Sequence, residues 1–293
     1  MPSHRAERHG RPLRVESSEI AELKQLKANQ PGLAEAAEMQ IELIQAQRRV
    51  QARVPLPAAI FDTAGLKWPQ ADARRMLRFD DIPLDWSDFR LILRQTADIL
   101  RRFDTLDEEE YSRIQSLAHE AHDIESVVAR WYDSTAAPAR GAAPPAGAVE
   151  SSEGMLDQVL LLAMRPFLTR CAEALLPCMD LSAWHQPSCP MCGGEAEFAL
   201  INPAAERLLI CGRCTGSWRY DPLACPFCEN HDPARITSFA SRDGNYRIYA
   251  CDACRRYLKA YDGRRGERPV MLALDSVATL PLDAAAMQRG YRA

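Results

Sequence analysis

The residues of this sequence best suited to chemistry are its cysteines, because eight of the ten fall in four Cys-x-x-Cys pairs. In chain order the pairs are Cys189/Cys192, Cys211/Cys214, Cys225/Cys228 and Cys251/Cys254. Two residues between thiolates let a tight turn aim both sulfurs at one metal ion, while N–H groups of the turn donate to the sulfurs. Because two such turns complete a tetrahedron of ligands, the sequence predicts two four-cysteine metal sites.

The four pairs alternate between two kinds, which indicates a tandem repeat. The first and third pairs carry proline after their first cysteine, whereas the second and fourth follow strand-like runs at 207–210 and 246–250. A pair of the first kind is separated from the next pair by 18 residues in the first unit and by 22 in the second. This spacing is typical of a zinc-ribbon or rubredoxin-like module. We therefore assign the first two pairs to one ion and the last two pairs to a second.

Four thiolates leave no ligand position for a substrate, so such a site is structural or transfers electrons. Dithiol redox chemistry of the thioredoxin type needs a helix that starts at the first cysteine, and neither kind of pair fits that context. An iron–sulfur cluster also takes four cysteines, but the regular pairing favours mononuclear sites. Zinc and iron both accept tetrahedral sulfur, and the spacing does not choose between them. We expect no catalytic residue and therefore no enzyme.

The residues before the cysteines read as helices, because apolar residues recur at every third or fourth position. Asp85 is placed to cap one helix, and Thr105 or Asp107 to cap another that continues to Trp131. Such amphipathic helices pack on each other as a bundle. The predicted fold class is α+β, with an N-terminal helical bundle followed by two tandem rubredoxin-like or zinc-ribbon four-cysteine modules.

Shifts in composition divide the chain into five regions. They are a disordered basic N-terminus at 1–15, a helical domain at 16–183, a first metal module at 184–222, a second at 223–270, and a C-terminal tail at 271–293 that packs on the body. Within the helical domain, residues 134–150 are mostly alanine, proline and glycine and predict a flexible loop. The two unpaired cysteines, Cys171 and Cys178, are expected to pack as small apolar residues.

Charge and hydropathy limit where the protein acts. The net charge of −4 gives no overall attraction to nucleic acid or to an anionic membrane. No run approaches the roughly 18 apolar residues of a membrane span, so we expect no membrane insertion. The basic first residues are not followed by the apolar stretch of a secretory signal. We place the protein in the cytoplasm, where thiols stay reduced and patterned cysteines bind metal.

One local feature keeps a nucleic-acid-binding ribbon open as an alternative. A basic run with interleaved tyrosines follows the last cysteine pair and comprises Arg255, Arg256, Lys259, Arg264, Arg265 and Arg268. Two divalent ions with eight thiolates add negative charge to the same region, which opposes phosphate binding. We therefore expect no nucleic-acid partner.

The motifs resemble those of the FdhE family of formate dehydrogenase accessory proteins. The resemblance rests on CPMCGG from Cys189, LLICGRCTGSWRY from Leu208, CPFCEN from Cys225, YRIYACDACRRYLKAYD from Tyr246 and the tail LALDSVATLPLDAAAMQRGY from Leu272. It extends, with less distinctive residues, over most of the chain.

The resemblance implies a helical domain coupled to two rubredoxin-like modules, whose eight paired cysteines hold two metal ions per chain. Iron is the favoured occupant and zinc is possible. It further implies an assembly factor that binds the catalytic subunit of formate dehydrogenase in the cytoplasm and is needed for active enzyme. The metal sites would be structural or redox-active, so a rubredoxin-like electron carrier is a further alternative.

Overall fold

The computed structural model describes residues 15–58, 75–119, 123–134, 152–266 and 268–293. Most of the predicted N-terminal disordered segment and residues 135–150 of the predicted flexible loop lie outside these ranges. The helices that precede the cysteines are α1 (Val15–Asn29), α2 (Ala34–Gln51), α3 (Trp86–Arg102), α4 (Glu108–His119), α5 (Ile124–Ser134) and α6 (Ser152–Leu175).

Side-chain caps fix where two of these helices begin. The Asp85 carboxylate accepts a hydrogen bond of 2.9 Å from the Asp88 N–H, and the Asp107 carboxylate accepts one of 2.8 Å from the Glu110 N–H. The predicted cap at Asp85 is confirmed, and of the two alternatives for the next helix the structure selects Asp107.

The prediction of one helix continuing to Trp131 is wrong, because two helices, α4 and α5, occupy this stretch. Residues 120–122 between them lie outside the described part of the chain. The Asp123 carbonyl accepts hydrogen bonds from the Ser126 hydroxyl and the Val127 N–H, which begins α5 anew. The spacing of the apolar residues does not reveal this interruption, because the helical period continues in both α4 and α5.

Two antiparallel meanders form the cysteine-rich region and join in one six-stranded sheet. The strands are β1 (Ala196–Ile201), β2 (Arg207–Cys211), β3 (Ser217–Arg219), β4 (Ile236–Ala240), β5 (Tyr246–Cys251) and β6 (Tyr257–Asp262), in the order β3-β2-β1-β6-β5-β4. Strands β1 and β6 are parallel, with Phe198 opposite Lys259, and every other neighbouring pair is antiparallel. The two predicted modules therefore share one sheet, and helices precede it as the predicted α+β class requires.

One apolar core runs from the helices into the first cysteine unit. It includes Phe89 of α3, Phe167 of α6 and Trp218 of β3, together with the buried Cys192. Because this core is continuous, the first unit is packed into the helical body and does not hang from it by a linker.

The C-terminal helices tie the sheet back to the helical domain. Helix α7 (Leu272–Ala278) packs on α1 and α2, and α8 (Leu280–Gln288) packs on β5. The buried Asp275 accepts hydrogen bonds from the Met271 N–H at 2.7 Å and the Tyr246 hydroxyl at 2.8 Å, and pairs with Arg268.

Within the described residues, no helix has both the length and the apolar content for a bilayer crossing.

Candidate metal centres

The structure brings the eight paired cysteines together in two groups of four. Centre 1 comprises Cys189, Cys192, Cys211 and Cys214, and centre 2 comprises Cys225, Cys228, Cys251 and Cys254. In each group the sulfur atoms all lie within 4.8 Å of one another. The groups are the two that the pair spacing predicted.

The sulfur geometry fits one tetrahedral ion in each centre. In centre 1 the Sγ atoms of Cys192 and Cys211 are 3.4 Å apart, and in centre 2 those of Cys225 and Cys254 are 3.8 Å apart. Metal–sulfur bonds of about 2.3 Å in a tetrahedron place neighbouring sulfurs about 3.8 Å apart. Four soft thiolate donors at this spacing suit zinc or iron and do not distinguish between them.

All four cysteine turns have the same backbone conformation. In each, the residue after the second cysteine is left-handed and its N–H donates to the carbonyl of the first cysteine at 2.8 to 3.1 Å. These residues are Gly193, Thr215, Glu229 and Arg255, with φ of 73°, 57°, 54° and 60°. A left-handed non-glycine residue costs roughly 1–2 kcal/mol, so the surrounding fold must hold three of the four turns in place.

The strands explain how the turns meet. Cys211 is the last residue of β2 and Cys251 is the last residue of β5, so each meander presents its second cysteine pair at the end of its central strand. The N–H groups of Cys189 and Cys225 donate to Gly194 and Asn230, which closes the first pair of each unit into a matching turn. A short run of sequence therefore builds each half of a centre, and the strands bring the halves together.

Thiol acidity differs within each centre. Burial raises the pKa of the Cys189 thiol, whereas at Cys192 hydrogen bonds from the neighbouring cysteines outweigh burial and lower the pKa. In centre 2 a hydrogen bond from Cys225 lowers the pKa of Cys254 to about 5, while burial raises that of Cys228 to about 11. Since a four-thiolate site needs every ligand deprotonated, loading an ion displaces protons from the less acidic thiols.

The two centres differ in their contact with solvent. All four cysteines of centre 1 are completely buried. In centre 2, Cys225 and Cys251 are buried, but Cys228 is exposed and Cys254 is half-buried. Small molecules and partner proteins therefore have access to the ligands of centre 2 and not to those of centre 1.

The helical domain holds centre 1 through its backbone. The N–H groups of Met76 and Leu77 donate to the carbonyls of Pro190 and Met191, each at 2.9 Å. Both carbonyls belong to the first cysteine turn of centre 1. Sequence reasoning did not find this contact, because residues 75–84 carry no regular apolar period and their partner lies more than a hundred residues away.

Arg213, between the ligands Cys211 and Cys214, connects the same centre to α5. Its backbone N–H donates to the Cys211 sulfur at 3.4 Å, and its guanidinium carbon lies 4.7 Å from the Trp131 ring centre and 4.5 Å from that of Tyr132. The adjacent aromatic residues Trp131 and Tyr132 are visible in the sequence, but their contact with Arg213 becomes apparent only in the fold.

The other residues considered from the sequence lie apart from the centres. Cys171 is buried, and burial raises its pKa to about 12. Cys178 is exposed, so the prediction that it packs as an apolar residue is wrong, because the chain leaves α6 in the short turn Leu176–Cys178. Of the six members of the basic run, Arg255, Arg256, Lys259, Arg264 and Arg268 pair with carboxylates.

Fold and centres together define a class of protein in which a helical domain is fused to a six-stranded sheet bearing two ribbon-like four-cysteine sites. The crystal structure of the FdhE protein from Pseudomonas aeruginosa has the same fold, with a TM-score of 0.62 and 16% sequence identity over 95% of this chain and 93% of that one. This likeness confirms the FdhE-like fold predicted from the cysteine motifs. No protein-family model and no curated protein matches this chain.

Proposed function

We propose that this protein is an FdhE-type accessory factor that binds the catalytic subunit of a formate dehydrogenase in the cytoplasm and is needed for active enzyme. The observation that carries the proposal is an FdhE-like fold along 95% of the chain, bearing two complete four-cysteine centres. Four sulfurs close each centre against a substrate, which supports an accessory role over a catalytic one.

We further propose that the two centres hold two metal ions, with iron favoured and zinc possible. Cys189, Cys192, Cys211 and Cys214 would bind one ion, and Cys225, Cys228, Cys251 and Cys254 the other. Each ion would add its binding free energy to the stability of the folded chain and, if it is iron, would supply a single-electron couple. Centre 1 suits the structural role because it lies between the helices and the sheet.

A second function, a rubredoxin-like electron carrier, is favoured by one observation. Cys228 and Cys254 bring centre 2 to the surface, where an electron donor or acceptor can approach. A nucleic-acid-binding ribbon has less support, because five of the six residues in its basic run pair with carboxylates of the same chain. Phosphate would have to displace those partners.

Affinity capture from cells that produce a formate dehydrogenase tests the proposal directly. We expect the tagged full-length protein to retain the catalytic subunit, and a deletion strain to lose dehydrogenase activity until the wild-type chain is restored. Recovery of no dehydrogenase subunit, together with normal activity in the deletion strain, would overturn it.

The identity of the bound metal distinguishes the assembly role from the electron-carrier role. Zinc has no redox chemistry in proteins, so a chain loaded only with zinc can fold and bind but cannot carry electrons. If the zinc form restores dehydrogenase activity in extracts of the deletion strain, the assembly role holds without electron transfer. If only the iron form does so, the carrier function is required.

A further inference from the structure

Four charged side chains among the described residues are fully buried, and they divide into two kinds. Asp262 and Asp275 each bind arginine, Asp262 through Arg247 and Arg264 and Asp275 through Arg268. The other two are Arg207 and Arg213, which are 2% and 3% exposed. Within the described part of the chain, neither arginine lies within ion-pairing distance of a carboxylate. A buried charge with no counter-charge is strongly disfavoured, so these two require an explanation.

Arg213 lies against centre 1. One guanidinium nitrogen is 3.5 Å from the carbonyl of the ligand residue Cys192, and the Cys192 sulfur interacts electrostatically with the guanidinium. The stem of the side chain crosses Gly194, where a Cβ atom would lie 2.7 Å from the Arg213 Cδ and 3.0 Å from the Cys211 sulfur. Arginine and sulfur therefore share the same small space.

Arg207 has the corresponding place at centre 2, although it belongs to the first meander. From β2 its guanidinium donates to the Ala224 carbonyl at 2.5 Å and to the Asp221 carbonyl. Ala224 directly precedes the ligand Cys225, and the nearby Asp221 carboxylate and the Cys225 sulfur both interact electrostatically with the Arg207 guanidinium. Each centre therefore has one buried arginine beside it.

We propose that Arg213 and Arg207 are the counter-charges of the metal-loaded centres, Arg213 for centre 1 and Arg207 for centre 2. The inference rests on the proposed metal occupancy. A divalent ion with four thiolates has a net charge of −2, which can compensate the buried guanidinium beside it. Both are positioning residues, since they act through the field and backbone of the ligands and do not themselves bind the ion.

The charge, and not only the hydrogen bonding, matters under this assignment. Both arginines also donate to carbonyls, Arg213 to Tyr132 and Arg207 to Ala224, which a neutral donor would serve as well. A fixed positive charge additionally favours thiolates over thiols. With iron bound, it also favours the ferrous form, which carries one more negative charge than the ferric form, and so raises the reduction potential of its own centre.

Two neutral variants and two charge-preserving variants of the full chain test the assignment. Arg213→Gln and Arg207→Gln remove the charge, whereas Arg213→Lys and Arg207→Lys retain it. Zinc-loaded proteins are challenged with increasing chelator, native mass spectrometry counts the ions, and thiol alkylation with peptide mapping identifies the emptied centre. We expect Arg213→Gln to weaken centre 1 roughly 10- to 100-fold and leave centre 2 unchanged, and Arg207→Gln to do the reverse.

Each arginine is the control for the other. Lysine variants that keep wild-type affinity at their own centre support the assignment, as does a lowered reduction potential of centre 1 alone in iron-loaded Arg213→Gln. Equal weakening of both centres, no weakening, or lysine variants as weak as the glutamine variants would overturn it. Where a glutamine variant does not fold, the lysine variant provides the test. Selective loss of the ion from the centre beside the lysine would contradict a role for the charge of the arginine.

The same measurements separate this inference from the proposed function. If the wild-type chain binds no metal, the proposed metal occupancy is wrong. If the wild-type chain binds two ions and all four variants bind them equally well, only the assignment of the counter-charges is wrong.

Discussion

The side-chain amide of Gln47 donates a hydrogen bond of 2.9 Å to the main-chain carbonyl of Leu162. This carbonyl lacks the usual helical donor, because Pro166 stands four residues later inside α6 and has no N–H. Both partners are buried, so water cannot supply the missing bond. Gln47 of α2 therefore allows α6 to continue through its proline and joins the two helices at that point.

Replacing Gln47 by methionine should lower the free energy of unfolding by about 1–3 kcal/mol, because it leaves a buried carbonyl without a donor. Gln51→Met is the matched control, since Gln51 lies on the same helix and its hydrogen bond to Glu173 is exposed. Its effect should stay within about 0.5 kcal/mol. Denaturant unfolding of both variants measures the difference, and equal stability would contradict the role of Gln47.

Chelators should empty centre 2 before centre 1, because only centre 2 has exposed and half-buried ligands. We expect two kinetic phases of metal release. Alkylation of Cys228 and Cys254 should accompany the fast phase, and modification of the centre 1 cysteines should wait for the slow one. A single phase that labels both centres together would show that the difference in burial has no kinetic effect.

Cys251→Ser leaves three thiolates in centre 2 and should cost that centre its ion and much of its local folding. Cys189→Ser should have the wider effect, because centre 1 belongs to the core that continues into the helices. Cys178→Ser, which changes an exposed thiol outside both centres, is the control. Metal analysis and limited proteolysis report both losses. A Cys251→Ser protein with two ions and full protease resistance would refute the ligand assignment at centre 2.

Gly194→Ala should weaken centre 1, because the added methyl group would lie 2.7 Å from the Arg213 Cδ and 3.0 Å from the Cys211 sulfur. Overpacking of this kind costs about 1–3 kcal/mol. Gly32→Ala meets no atom within 4 Å and should be tolerated. Thermal unfolding of the zinc-loaded proteins compares the two, and a tolerated alanine at position 194 would show that Arg213 can move away at little cost.

Acid should destabilise the fold through Asp262. Hydrogen bonds from Arg264, and next from Arg247, hold the pKa of this carboxyl well below its usual value. A lowered pKa in the folded state contributes stability that is complete above the ordinary value of about 3.9 and is lost as pH falls below it. Unfolding free energies measured across this range should fall more steeply for the wild type than for Asp262→Asn. Parallel slopes would exclude the contribution.

The sequence was sufficient for features set by neighbours in the chain. Which cysteines share a centre, the strands ending at Cys211 and Cys251, and the cap at Asp85 all follow from local spacing and turn chemistry. The strands and the cap depend on a few consecutive residues, and the grouping of the cysteines depends on the tetrahedral geometry that a four-thiolate site requires.

Features set by distant contacts could not be read in the same way. The parallel pairing of Phe198 with Lys259 joins strands from the two units, and no period in either strand specifies that neighbour. The same holds for Arg207, which lies in the first unit and serves the second, and for Met76, which binds the turn of centre 1. Such contacts depend on which surfaces remain uncovered once the local elements have formed.

The parallel junction of β1 and β6 also decides how the two ends of the molecule can move. If a flexible linker joined the two cysteine units, the second unit could move freely relative to the first. Instead both units belong to one continuous sheet, which packs against the helices through its first unit. A client protein that bound the helices, as proposed above, would therefore meet the exposed Cys228 of centre 2 at a fixed distance and angle.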